Sequence, residues 1–132
     1  METDKKLKAR VTAKEIEISV ISGGYYDDYI SLTDIAKYKS GDPAATIQHW
    51  MRSRDVIEFL GLWEILHNPD FKRLEFEGVK ARAGTNAFAL SPKRWIKTTA
   101  AIGMYPMSGQ NGGIFAQRDI AFKFASWISA EG

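Results

Sequence analysis

The sequence predicts a helix-rich α+β domain organised around a helix-turn-helix, and three stretches carry that prediction. Residues 30–54, ISLTDIAKYKSGDPAATIQHWMRSR, read as two short helices joined by a tight turn. Ile16, Ile18 and Val20 alternate with Glu15, Glu17 and Ser19, the period of two expected of a half-buried strand. Asn111-Gly112 sits between two short apolar runs, a pairing that favours the tight turn of a β-hairpin.

In chain order, residues 1–13 are polar and unpatterned and read as a flexible tail, leaving 14–132 as a single domain. Gly23-Gly24 marks a turn, after which residues 25–30 return as the second strand of an N-terminal hairpin. Asp27 and Asp28 fit a solvated loop better than a metal site, since no nearby His or Glu completes a ligand set. Ser31 and Thr33 offer N-caps for the first helix, with Leu32, Ile35 and Ala36 at helical spacing, and Gly41 ends it. Asp42 as N-cap and Pro43 in the first position, where its missing N–H is not needed, open the second helix. Taken over residues 43–53, that helix has Ile47, Trp50 and Met51 on one face and Ala45, Gln48, His49 and Arg52 on the other.

A scaffold helix follows from Asp55, where Glu58 completes a capping-box-like pair and Val56, Phe59, Leu62, Trp63 and Leu66 form an apolar stripe. Asn68-Pro69 breaks it. A fourth helix is expected over residues 74–83, closed by Gly84, and residues 86–90 read as a short strand. Ser91 and Pro92 open a fifth helix that carries Trp95, Thr99 and Ile102 on one side, Lys93, Arg94 and Lys97 on the other, and stops at Gly103. The hairpin then spans residues 103–117, and residues 119–129 form a last helix that buries Ile120, Phe124, Trp127 and Ile128. Each of the four tryptophans falls on the apolar side of a different helix, which assigns them to core packing before base stacking.

A chain of 132 residues with 45% hydrophobic and 12% aromatic content has enough apolar surface for one core but not comfortably for two. Cysteine is absent, which rules out disulfides and thiolate zinc sites and fits a reducing cytoplasm. The start, METDKKLKARVTAKE, lacks the apolar segment of a signal peptide, and no apolar run approaches a membrane span. His49 and His67 stand alone without zinc partners. PDFKRLEFEGVK has the residue types of a metal-dependent nuclease, yet Glu77 and Lys80 are three apart and would point to opposite faces of a strand. SGQNGG lacks the Lys-Ser or Lys-Thr of a phosphate-binding loop. Neither catalysis, a metal nor a cofactor is therefore expected.

The net charge of +2 says little, but its distribution is uneven. Residues 25–70 carry four basic and eight acidic side chains, whereas 72–97 carry seven basic and two acidic. If the exposed face of the second helix meets nucleic acid, the later basic segment must supply much of the phosphate attraction, because that sequence-independent attraction dominates affinity. On that face Gln48 and Arg52 have the donors for base edges, and a small Ala45 lets the helix come close. The same exposed helix would also serve a protein-interaction domain that never touches nucleic acid.

YISLTDIAKY, WMRSRDVIEFLGLWEILHNPDF, FALSPKRWI and GGIFAQRDIAFKFASWIS, in that order and over most of residues 16–129, resemble the KilA-N domain of phage, prophage and large DNA virus proteins. That family is similar to the fungal APSES DNA-binding domains. The resemblance implies a winged-helix-like arrangement, with residues 43–53 as recognition helix, the 103–117 hairpin as wing, duplex DNA as partner and transcription regulation as setting. The implied DNA-binding residues are Thr46, Gln48, His49 and Arg52 on the second helix, Lys93, Arg94 and Lys97 on the fifth, and Gln110, Asn111 and Arg118 in or beside the wing. Relatives often run from SWIS into Pro-Glu-Phe and a longer helical segment where this chain reads SAEG. A homo-oligomer or partner contact is expected from such a segment.

Overall fold

In a computed structural model, which describes residues 7–13, 16–22, 28–110 and 112–131, one antiparallel sheet of five strands, in the order β1-β2-β3-β5-β4, carries six helices. The strands are β1 (Leu7–Ala13), β2 (Ile16–Ser22), β3 (Tyr29–Ser31), β4 (Met104–Met107) and β5 (Gly113–Gln117). The helices are α1 (Leu32–Lys37), α2 (Pro43–Trp50), α3 (Arg54–His67), α4 (Arg73–Arg82), α5 (Pro92–Thr99) and α6 (Arg118–Glu131). The fold is α+β, as the sequence predicts.

The sheet departs from that prediction at its edge and at its centre. Residues 7–13, expected as tail, pair with β2 along their whole length, from Leu7 opposite Ser22 to Ala13 opposite Ile16. The alternation of LKARVTA, apolar at odd positions and polar at even ones, is the signal that the polar composition obscured. At the centre, three-residue β3 joins the two hairpins by pairing Tyr29, Ile30 and Ser31 with Gln117, Ala116 and Phe115. This register sets Val20, Ile30, Ala116 and Met104 on one face, and Ala116 and Met104 join the helical core there with Ile120 and Phe124 of α6. In β2 the buried positions are Ser19 and Ile21, while Ile18 and Val20 are only half-buried.

Local side chains fix where α1, α2, α3 and α5 start. Ser31 Oγ accepts from Asp34 N (3.0 Å), Asp42 Oδ1 from Ala45 N (3.2 Å), and Ser91 Oγ from Arg94 N (3.1 Å), each satisfying an amide that the first turn leaves without a partner. Ser53, rather than the expected Asp55, caps α3, so α2 stops at Trp50 and Arg52 falls in the turn between them. Ala100 in the left-handed region (φ 61°) ends α5 ahead of Gly103. Residues 86–90 form no strand.

Trp50, Ile47, Met51, Leu32, Leu60, Trp95 and Phe124 are at most 1% exposed and fill the space between helices and sheet. Each contributes on the order of 1.5–3 kcal/mol by leaving water. Trp50 packs edge-on against Phe124 (5.0 Å), and Trp95 against Phe76 (6.0 Å). The expected stripe on α3 proves to straddle two faces. Val56, Ile57, Leu60 and Trp63 are buried, but Leu62 and Leu66 are 55% and 69% exposed. Glu64 takes the buried position instead, at 1% exposure.

Candidate nucleic-acid interface

The α1–α2 unit is held against the sheet by polar contacts made along α1. Asp34 reaches back so that a carboxylate oxygen accepts from Ser19 N (2.8 Å), taking the amide that three-residue β3 leaves unpaired. Thr33 Oγ1 accepts from Ile114 N (2.9 Å) and ties the same helix to the returning strand of the hairpin. Ser40 Oγ accepts from Asp42 N (2.9 Å) and shapes the turn into α2.

With Ile47 and Trp50 buried, α2 exposes Ala45, Gln48 and His49 of the face that the sequence predicts, together with Ala44. Its polar groups look in different directions. Gln48 borders a cleft of about 590 Å³ shared with Lys93 at the start of α5 and with Pro106, Met107 and Ile114 of the hairpin. His49 leans the other way, its ring 5.5 Å from that of Trp127 on α6. Thr46 spends its hydroxyl on the Asp42 carbonyl (3.1 Å) and is half-buried. Arg52 lies beyond the last turn of α2, where Nη2 donates to the Asn86 carbonyl (3.4 Å).

On α5, Trp95 and Thr99 point inward and Lys93, Arg94 and Lys97 outward, so three cations occupy the exposed side of the helix, with Lys93 at the cleft. Among the described residues none of these three forms an ion pair, whereas Lys37, Arg54, Lys80 and Lys123 all do.

The hairpin places the remaining predicted residues apart. Its register, Met107 opposite Gly113, leaves a five-residue loop over 108–112 in place of the two-residue turn expected at Asn111-Gly112. Gln110 is exposed in that loop, and Asn111 lies outside the described residues. Arg118 is exposed at the far end of β5, one strand length from the loop. Of the predicted set, the cleft therefore brings together Gln48 and Lys93, with Arg94 and Lys97 on the same helix.

Glu64 is a residue that sequence reasoning missed. Its carboxylate accepts from Ile102 N (3.0 Å), Gly103 N (2.7 Å) and Asn68 Nδ2 (2.9 Å), so α3 grips the chain where the hairpin begins. Burial raises its pKa above the ordinary 4.5, an effect opposed by these hydrogen bonds and by nearby His67. The available signal was a carboxylate at an apolar-face position, seven residues after Ile57 and four after Leu60.

A family model described as the KilA-N domain matches residues 14–131. No curated protein and no solved structure matches the chain. Among the described residues no helix is long and apolar enough to cross a membrane.

Proposed function

Because the chain belongs to the KilA-N domain family, whose members are generally DNA-binding, we propose that it is a sequence-reading, non-catalytic module for duplex DNA of a phage or prophage type. The exposed face of α2 enters the major groove, Gln48 reads a base edge, α5 holds the backbone, and the β4–β5 hairpin acts as the wing. One observation carries this reading. Lys93 borders the same cleft as Gln48, with Arg94 and Lys97 exposed on the same helix and none of the three in an ion pair among the described residues, so a basic helix and a candidate reading side chain adjoin each other. Ala44 and Ala45 add to it, since small side chains let the helix backbone approach a groove closely.

Reading and gripping separate under mutation. Selection of preferred sites from mixed duplex, followed by competition binding at two salt concentrations, measures both. Gln48→Ala is expected to lose about 1–3 kcal/mol of discrimination between preferred and unrelated duplex. Lys97→Ala is expected to weaken all sequences alike and to lower the slope of log affinity against log salt by about one. Wild-type binding that ignores salt would remove the basis for the DNA reading and turn attention to a protein partner on α2.

A further inference from the structure

We propose that Arg52, Arg54 and Arg82 form a second backbone-gripping site at the opposite end of α2 from Lys93, an inference that rests on the duplex-binding reading above. The three come together around Gly84, which sits in the left-handed region (φ +87°) just past α4. Gly84 N donates to the Arg52 carbonyl (3.1 Å), and a Cβ on Gly84 would lie 3.6 Å from Arg54 Cβ. Arg82 ends α4 two residues earlier, its carbonyl accepting from Thr85 Oγ1 (2.8 Å), while Ala83 between them is buried. The turn after α2, the start of α3 and the end of α4 thus each deliver one exposed arginine to one place.

Little neutralises them. Arg54 pairs with Glu58 across 3.4 Å on the exposed side of α3, a contact of the kind that solvent and salt weaken readily. Arg52 makes one long bond to a carbonyl, and neither it nor Arg82 forms an ion pair among the described residues. Like charges borne by neighbouring backbone positions repel unless an anion lies among them, and the planar donor fork of a guanidinium suits phosphate oxygens.

The spacing favours a duplex as the source of that anion. The eight residues of α2 span about 12 Å at 1.5 Å per residue. A B-form major groove is also about 12 Å wide between its phosphate rows. Lys93 and its neighbours flank one end of the helix and the three arginines the other, so a helix seated in the groove meets a phosphate row at each end. Arg52 is then a gripping residue, and base reading falls to Gln48.

The experiment titrates salt against binding of a mixed-sequence duplex and of a site selected from it, for the wild type, Arg82→Ala, Arg52→Ala and Arg82→Lys. Arg82 is exposed at a helix end, and thermal melting confirms that each variant is folded. The expected result is that Arg82→Ala and Arg52→Ala each lower the salt slope by about one and weaken both duplexes by the same factor. Arg82→Lys should keep most of the slope. An Arg82→Ala variant with wild-type slope and affinity overturns this site alone, and selective loss on the preferred duplex overturns its assignment to the backbone. No salt-dependent binding by the wild type overturns the duplex reading itself.

Discussion

The base and the tip of the β4–β5 hairpin are built by opposite means. At the base, Glu64 collects three N–H donors, Tyr29 Oη donates to the Ile102 carbonyl (2.6 Å), and Gln117 N donates to the Gly103 carbonyl (2.8 Å). There is no room beside them, since a Cβ on Gly103 would lie 2.6 Å from Ile120 Cδ1 and 2.8 Å from Glu64 Oε2. At the tip, Gly109 (φ +108°) faces open space and Gln110 is exposed. Burial and hydrogen bonding set the direction in which the hairpin leaves the core, while its contact surface stays free of the packing that would restrict its sequence. α2 repeats the division, with Ile47 and Trp50 buried behind exposed Ala44, Ala45 and Gln48.

The contrast breaks most severely at the base. Trp63 is 5% exposed, lies against the space beside Gly103 and stacks on His67 at 4.4 Å. Trp63→Ala is expected to cost about 3–5 kcal/mol, because it removes a large buried ring and leaves a cavity that the fixed base cannot close. Denaturant unfolding measures this, and an unchanged midpoint would mean that the base does not depend on that packing.

Glu64→Gln is the next largest, at about 1–3 kcal/mol. A carboxyl oxygen accepts from each of the three donors around Glu64 whether or not it carries the proton, whereas the amide NH2 accepts nothing, so a buried N–H group loses its partner. The substitution also removes a pH dependence. Since burial raises the Glu64 pKa, the folded state holds that proton more tightly than the unfolded chain. Its contribution is fully present below the unfolded value near 4.5 and is lost as pH rises through the higher folded value. The stability margin of the wild type over Glu64→Gln should therefore narrow as pH rises above the ordinary value of 4.5. A constant margin across that range would show that Glu64 titrates normally.

What was legible in the sequence follows the range of the forces involved. Ser91-Pro92, Asp42-Pro43 and Gly84 announce helix ends because a cap acts on amides only a few residues away. The two backbone partners of Glu64 lie 38 and 39 residues further on, and Tyr29 reaches a carbonyl 73 residues away, so no local pattern names them. The same distance hid the union of the two hairpins through β3. On α3 the apolar spacing permitted two registers, and the one that packs against α4 exposes Leu62 and Leu66. Of the site, α2's exposed face and the basic side of α5 were legible as helical faces. Their meeting at the Gln48–Lys93 cleft, and the position of Arg52 past the helix end, depend on how separate elements pack.

The smallest effect on stability is expected at the tip, where it sharpens the contrast. Gln110 is exposed in the 108–112 loop, so Gln110→Ala should change unfolding free energy by less than about 0.5 kcal/mol. Its effect on DNA should also be limited. The described residues of the loop carry no charge, so the substitution releases no counterion and the salt slope of duplex binding should stay at the wild-type value. If the hairpin is the wing, a polar side chain at its tip contributes a hydrogen bond to backbone or base, and losing it weakens binding by a factor independent of salt. Lys97→Ala, which alters the slope, is the internal control for that distinction. Parallel salt-titration lines for the wild type and Gln110→Ala, displaced from one another, are the expected outcome. Superimposed lines would remove Gln110 from the interface and leave the hairpin's role to its strands and base.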